Sequence, residues 1–271
     1  SLDAMTTADV VTELPLDWRP SRGRPMDRLR AGFIRLRLGT VGERRSDLDA
    51  ALLDFDVVTH DAPSWPYGWF GRGLTKLVIG DQPGATPKAI AGQELGQSFY
   101  AAFLADVNAT IKRDPTFPPL VHALARILAP QRDRTQPEPL VRTLALAAAR
   151  GGAEPDVHLV LGRAYRSAGK NDRALDELDA YVTAGGDTSI SRLESARALA
   201  GAGRVEEATA EYLAGTDRLR GPARELYRDD LAWVARPGEM AAFDSVPADS
   251  AAAWITHFWD LRAAEALRPT A

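Results

Sequence analysis

Cysteine is absent from this chain of 271 residues, and histidine occurs only four times. The lack of cysteine excludes disulfides, thiol nucleophiles and thiolate metal sites together. It does not indicate the redox compartment, because a chain without cysteine is compatible with both oxidising and reducing environments. The histidines stand apart, and none has a second metal-ligating side chain at helical spacing: His60, His122, His158 and His257. We therefore expect no metal and no other cofactor.

Long apolar runs and a strong charge of one sign are missing as well. No apolar run approaches the roughly 18 residues of a membrane-spanning helix, so no span is expected. The formal net charge of −4 argues against wholesale nucleic-acid binding. With 45% hydrophobic residues, the chain can still build a sizeable core.

Motifs of catalysis and nucleotide binding are also lacking. The Gly71-Arg-Gly73 and Gly151-Gly152 stretches do not stand between a strand and a helix, as a phosphate-binding loop would. No nucleophile elbow is present, and a triad, being a spatial arrangement, leaves no other trace in sequence. The sequence predicts a protein that is not an enzyme.

What the chain does contain is an internal repeat. Residues 155–219 contain two similar segments 34 residues apart. Small residues, and larger side chains that fill the space between helices, recur at this spacing. The matched positions are Gly162 and Ala196, Ala164 and Ala198, Tyr165 and Leu199, Gly169 and Gly203, Ala174 and Ala208, and Leu178 and Tyr212. This period resembles tetratricopeptide repeats, over roughly residues 27–219. The resemblance implies an all-α, right-handed solenoid of about five helical hairpins.

Helices before residue 155 are predicted from the spacing of apolar residues and from the Gly and Pro residues that separate the helical segments. The first carries a stripe of Leu29, Phe33, Ile34 and Leu38 and ends at Gly39 and Gly42. The second begins near Ser46, whose hydroxyl can cap it. Four more are predicted: one that contains residues 69–80, and three at residues 99–112, 118–128 and up to 150.

These patterns divide the chain into three parts. Residues 1–25 are rich in Pro, Arg and Thr and are predicted to form an extended arm. Residues 26–219 form the solenoid, interrupted by an inserted loop at 81–98. Residues 220–271 lose the repeat register and are predicted to be capping helices, as solenoid ends require. In the last helix, Trp254, Phe258 and either Trp259 or Leu261 are expected to be buried.

The tail also carries a resemblance of its own. Residues 233–240 (Trp-Val-Ala-Arg-Pro-Gly-Glu-Met) and residues 253–259 (Ala-Trp-Ile-Thr-His-Phe-Trp) resemble the segment that links the repeats to the C-terminal region in bacterial GWxTD-domain proteins. The Gly-Trp-x-Thr-Asp motif itself is absent from this chain. Because members of that family continue well beyond this segment, the resemblance implies a bacterial protein with a further C-terminal domain.

Arginines follow the small crossing residue in three successive first helices of the hairpins. Arg126 follows Ala125, Arg163 follows Gly162, and Arg197 follows Ala196. A neighbour of the crossing residue is rotated about 100° around the helix axis, which in this repeat class points into the groove. The predicted groove site therefore comprises Arg126, Arg163, Arg166, Arg197 and His122. The alternative is that these arginines pair with acidic residues such as Asp156 or Glu194 and stabilise the stack.

Two further surfaces are candidate binding sites. Tyr67 and Phe70 are predicted to face the groove beside a core Trp69, and repeat packing is the alternative for all three. The N-terminal stretch is rich in arginine, which indicates either a site for an anionic partner or an ordinary solvated surface. The arginines are Arg19, Arg22, Arg24, Arg28, Arg30, Arg35, Arg37, Arg44 and Arg45. No aromatic interleaving supports nucleic-acid stacking there, so no nucleic-acid partner is expected.

The function predicted from these observations is a non-enzymatic interaction scaffold. Its groove would bind a peptide or partner helix, with an acidic or carboxylate-bearing ligand matching the arginines. The alternative is a structural or oligomerisation module that positions a missing C-terminal domain. The expected location is cytoplasmic, with export as the alternative if a leader preceded the chain. The oligomeric state does not follow from the sequence.

Overall fold

The computed structural model describes residues 24–81, 99–132, 135–217 and 219–266, and every regular element in these ranges is helical. The predicted all-α class is confirmed for this part of the chain. A short 3₁₀ helix, Ala248–Ser250, precedes the last α-helix. The α-helices in the described ranges are α1 (Arg24–Val41), α2 (Arg45–Asp61), α3 (Pro66–Asp81), α4 (Phe99–Ile111), α5 (Pro118–Leu128), α6 (Glu138–Ala149), α7 (Pro155–Ser167), α8 (Asn171–Thr183), α9 (Thr188–Gly201), α10 (Val205–Ala214), α11 (Gly221–Ala232), α12 (Pro237–Ser245) and α13 (Ala251–Ala266).

Two predicted segments lie outside the described residues. One is the extended arm, of which residues 1–23 are not described. The other is the inserted loop, of which residues 82–98 are not described. Asp81, the predicted first residue of that loop, belongs to α3 and ends it.

Contacts divide the chain into two compact units. The described residues up to Gln131, together with residues 136–151, form the first unit, which holds α1–α6. Arg132, Thr135 and the residues from Gly152 onward form the second unit, which holds α7–α13. The division falls inside the predicted solenoid of residues 26–219. The predicted capping helices share the second unit with the two regular repeats.

In the first unit, consecutive helices pack in pairs. α1 lies along α2, α3 along α4, and α5 against α6, while α1 also contacts α3. Aromatic rings join the pairs, since Phe33 lies 6.4 Å from Phe70 and Phe70 meets Phe117 edge-on at 5.6 Å. Contact between the first helices of successive pairs is the arrangement expected of a helical repeat.

The buried stripe of α1 differs from the predicted one. Leu29 and Phe33 are buried as expected, but Leu36 completes the buried face. Ile34 and Leu38, which were assigned to the core, are exposed. The rotation per residue explains the error: position 34 lies about 100° from position 33. The core stripe therefore runs through positions 29, 33 and 36.

The predicted helix boundaries in this unit also need correction. Gly39 does not end α1 but lies inside it, where a Cβ atom would come within 2.7 Å of Leu48 Cδ2. Its role is a close crossing with α2. Ser46 does not cap α2, because the helix already begins at Arg45 after an Arg44 that makes no side-chain capping bond.

The second unit shows the repeat in three dimensions. α7 pairs with α8 and α9 with α10, and α9 also contacts α7, α8 and α11. At Gly162 an added Cβ would lie 3.0 Å from Leu178 Cδ2, so this small residue marks the crossing of α7 and α8. Gly169 and Gly203 both take positive φ angles, 69° and 77°, and end α7 and α9 alike. Gly169 and Gly203, one of the matched pairs of the 34-residue offset, thus have the same structural role.

Aromatic side chains hold the last helices of this unit together. Trp254 stacks on Phe258 at 5.4 Å and packs against Phe243 at 5.2 Å. Phe258 is buried, as predicted, whereas Trp254 is only half-buried. Trp259 packs inward and Leu261 is exposed, so Trp259 is the third apolar residue of this cap.

Candidate functional site

Three of the predicted groove arginines converge on one carboxylate. Glu194 of α9 is fully buried and bonds Arg163, with Nε–Oε1 and Nη2–Oε1 distances of 2.8 and 2.7 Å. Arg197 Nη1 reaches the same oxygen at 3.1 Å. Arg166 Nε lies 3.5 Å from the other oxygen, Oε2. We call these four residues the Glu194 cluster.

Helix geometry explains why these side chains meet. Arg163 and Arg166 are three residues apart on α7, and Glu194 and Arg197 are three residues apart on α9, so each pair shares a helix face. α7 and α9 pack side by side. Arg163 and Arg166 of α7 therefore meet Glu194 of α9 where the two helices pack, rather than standing in a row above a groove.

Further acidic residues come from α11. Asp230 accepts a hydrogen bond from Arg197 Nη2, and Asp229 pairs with Arg132 at 2.5 Å. The three arginines of the cluster thus face two carboxylates, Glu194 and Asp230.

The pKa values in the cluster respond to both burial and neighbours. Burial raises the pKa of Glu194, but Arg163, Arg197 and Arg166 outweigh it and hold that pKa below its ordinary value. Burial lowers the pKa of Arg163, against the opposing pull of Glu194. Burial raises the pKa of Asp230 despite Arg197. The cluster therefore keeps its central carboxylate ionised.

This arrangement corrects the prediction of an open arginine ladder. Arg163 is only 6% exposed and is engaged by Glu194, so it does not line a groove. The alternative reading, in which arginines pair with Glu194, describes Arg163 and Arg197. Arg166 differs, because within the described residues neither its Nε nor its Nη2 makes a hydrogen bond. Its side chain remains 21% exposed.

The other predicted site residues belong to the first unit. His122 and Arg126 are half-buried on α5. Tyr67 is half-buried and packs edge-on against Phe117 at 4.6 Å. Phe70 is only 1% exposed, so its ring fills the core and does not face a groove. Trp69, expected in the core, is half-buried between the guanidinium groups of Arg72 and Arg113, 4.7 and 4.2 Å from its ring centre.

An apolar groove that the sequence did not indicate lies between α9, α10 and α13. Its volume is about 600 Å³, and small side chains and aliphatic groups form most of its surface. The Tyr212 and Trp259 rings meet edge-on at 6.2 Å on one wall, where burial raises the pKa of Tyr212. The lining residues are Ala196, Arg197, Ala200, Val205, Ala208, Thr209, Tyr212, Leu213, Trp259, Arg262 and Ala263.

Arg197 links this groove to the Glu194 cluster, because it belongs to both. The other charged lining residue, Arg262, bonds Glu239 and Glu265. Ala196, Ala200 and Ala208 keep the groove open because a methyl group fills little of the space between two helices. The alanine spacing and Trp259 were the features of the sequence that could have indicated this groove. No feature of the sequence predicted that α13 packs beside α10.

A second cavity, of about 690 Å³, lies between α8, α9 and α10 and is more polar. Its charged side chains already compensate one another, since Arg204 bonds Glu207 at 2.7 Å and Arg192 lies 3.8 Å from Glu211. The apolar groove is therefore the better candidate for a ligand.

The described residues also bear on two other kinds of site, metal-binding and membrane-spanning. In those residues, no three His, Asp or Glu side chains are grouped closely enough to hold a metal ion. None of the described helices has the length and apolarity that crossing a membrane requires. Compared with known proteins, the chain matches no protein-family model and no curated protein.

Proposed function

We propose that this protein is a non-enzymatic interaction scaffold built as a tetratricopeptide-like, right-handed solenoid of about five helical hairpins with a C-terminal helical cap. Paired helices, contacts between α7 and α9, and the equivalent glycines 169 and 203 support this architecture. The resemblance of the tail to GWxTD-domain proteins remains part of the proposal and rests on the sequence alone.

The observation that carries the proposal is the apolar groove between α9, α10 and α13. Its volume of about 600 Å³ is in the range of sites that hold small ligands or a few large side chains. Trp and Tyr walls beside a floor of small residues are typical of surfaces that bind apolar anchor side chains. The proposed ligand is a peptide or partner helix that inserts such side chains.

The arginines of the Glu194 cluster are the reason for proposing an acidic group on the ligand. The cluster borders the groove through Arg197, which also bonds Asp230. Arg197 is the member of the cluster that lines the groove, and its side chain is 21% exposed. A carboxylate on the bound peptide, next to its apolar anchors, would bond this guanidinium group at the edge of the groove.

The groove can be tested with a matched pair of variants. Ala200 and Ala210 are both exposed, but only Ala200 lines the apolar groove. We expect Ala200→Trp to fill the groove and Ala210→Trp to leave it open. Proteins from a bacterial lysate retained by the wild-type and Ala210→Trp chains, but lost from Ala200→Trp, would be quantified by mass spectrometry. Equal retention by all three chains would exclude the groove as the binding site.

A structural or oligomerisation module is the second candidate, and one observation favours it. Trp233 is 89% exposed at the end of α11, next to the exposed Val234. A large ring in solvent fits a surface that packs against another domain or subunit. Sedimentation velocity of the wild-type chain and a Trp233→Ser variant tests this function. Self-association that Trp233→Ser abolishes would support it, and a monomer at all concentrations would count against it.

A further inference from the structure

The outward face of α1 is apolar, although the helix already buries its opposite face. Leu29, Phe33 and Leu36 face α2 and the core. On the other side Ile34, Leu38 and Val41 are 60%, 48% and 68% exposed. Their spacing of four and three residues places them on one stripe. We call Ile34, Leu38 and Val41 the α1 outer stripe.

Arginines border this stripe on both edges. Arg30 and Arg37 lie along one edge, and within the described residues neither pairs with an acidic group. Arg28 and Arg35 lie along the other edge, and both bond Asp54. An exposed apolar stripe between two rows of guanidinium groups is a recognition surface with a defined chemistry: apolar at the centre and cationic at the rims.

Charge decides between the occupants of this surface. The 18 residues of α1 contain five arginines and one aspartate, a formal charge of +4, in a chain whose net charge is −4. The remainder of the chain therefore carries −8. A second copy packed through its own α1 would set two +4 helices against each other.

An anionic membrane fits the face less well than a protein does. The stripe has three aliphatic side chains and no aromatic ring to anchor in the lipid interface. The charge of −8 on the rest of the chain would oppose approach to anionic lipids. A helix with an apolar ridge and acidic rims matches both the stripe and its arginines.

We propose that the α1 outer stripe docks an acidic amphipathic helix of a partner protein. Apolar residues of the partner would pack on Ile34, Leu38 and Val41, in the way that helix ridges fill the groove of another helix. Carboxylates on one rim of the partner would bond the guanidinium groups of Arg30 and Arg37, which have the geometry for two-point contacts, and those on the other rim would face Arg28 and Arg35. The association is consequently sensitive to salt.

This surface belongs to the first unit and is independent of the groove proposed above, which lies in the second. Ala200→Trp should leave binding at the α1 outer stripe unchanged. Failure of one proposal therefore leaves the other standing.

The test uses the full chain and a fluorescein-labelled 18-residue helical peptide with leucines on one stripe and glutamates along both edges. Fluorescence anisotropy at low salt gives the dissociation constant. We expect Arg30→Glu/Arg37→Glu and Leu38→Asp each to weaken binding by at least about tenfold, because each removes one half of the complementarity. The matched controls are Arg142→Glu/Arg173→Glu, which makes the same charge change elsewhere, and Leu53→Asp, at an exposed leucine of α2.

Three further measurements distinguish the proposed acidic helix from other possible ligands of the α1 outer stripe. The same peptide with lysine in place of every glutamate should not bind. Vesicles containing phosphatidylserine should not be bound in a Leu38-dependent way, and sedimentation should show no Leu38-dependent self-association. The proposal is overturned by equal binding of the lysine peptide, by unweakened binding in both stripe variants, by no binding of the acidic peptide, or by Leu38-dependent binding of vesicles or of a second copy.

Discussion

Both units bury carboxylates that bond arginines, yet the arginines on Asp54 and those on Glu194 have different surroundings. Asp54 in the first unit and Glu194 in the second are 1% and 0% exposed. The arginines on Asp54 are 48% and 41% exposed, whereas Arg163 on Glu194 is 7% exposed. The pairing on Asp54 therefore leaves its arginines in contact with water, whereas the pairing on Glu194 encloses Arg163.

This difference determines what remains when the carboxylate is removed. Arg28 and Arg35 would still be hydrated, because much of each side chain already contacts water. Arg163 would be left as a buried cation beside two other cluster arginines. The penalty for an uncompensated charge depends on its burial, so the two clusters should respond unequally to equivalent substitutions.

The largest effect is expected for Glu194→Gln. The amide keeps the shape of the side chain but removes the charge that compensates Arg163. Breaking one partner of a buried ion pair costs about 3–5 kcal/mol. We expect a loss of unfolding free energy of this size in urea denaturation followed by circular dichroism.

A matched control for that substitution is Glu207→Gln. Glu207 also bonds an arginine, Arg204, at 2.7 Å, but the pair is exposed. We expect an unchanged urea midpoint for this variant. An equal loss in Glu207→Gln and Glu194→Gln would mean that burial does not set the cost.

Acidification should remove part of the same contribution. The pKa of Glu194 is lowered in the folded chain, so its stabilisation is fully present above the unfolded value of about 4.3. It is lost as the pH falls through the lower, folded pKa. Asp230 acts in the opposite direction, because its folded pKa is raised and its ionised form is disfavoured.

Comparing wild type with Glu194→Gln isolates the first of these two contributions. The difference in unfolding free energy between the two chains should be constant near neutral pH and shrink below about pH 4. Urea titrations at several pH values measure it. A difference that grows on acidification would contradict the lowered pKa of Glu194.

The sequence predicted the helical class and the repeat because both depend on local spacing. The 34-residue offset located Gly162 at a helix crossing and Gly169 and Gly203 at helix ends, where small size and positive φ leave a clear trace. The inward side of α1 was harder to predict. Both of its faces are apolar, so hydrophobic spacing alone did not distinguish Leu36 from Ile34.

The candidate site depended on contacts between helices that spacing does not specify. The sequence correctly identified Arg163, Arg166 and Arg197 as a set, and Glu194 as a partner in the alternative interpretation. It could not determine whether the arginines turn toward a groove or toward each other, because that depends on the packing of α7 against α9. The apolar groove was missed because Trp259 reaches α10 only through the fold of the last three helices.

A smaller loss than that of Glu194→Gln is expected for Asp54→Asn. Arg28 Nη1 bonds Asp54 Oδ1 at 2.8 Å, and Arg35 bonds the other oxygen. The asparagine keeps one acceptor oxygen but cannot satisfy both guanidinium groups. Losing a charge-assisted hydrogen bond costs about 1.5–3 kcal/mol, and the hydration of the two arginines should bring the loss to the lower end of that range. Urea denaturation beside Glu194→Gln measures the contrast, and equal losses in the two variants would show that the exposure of the arginines does not matter.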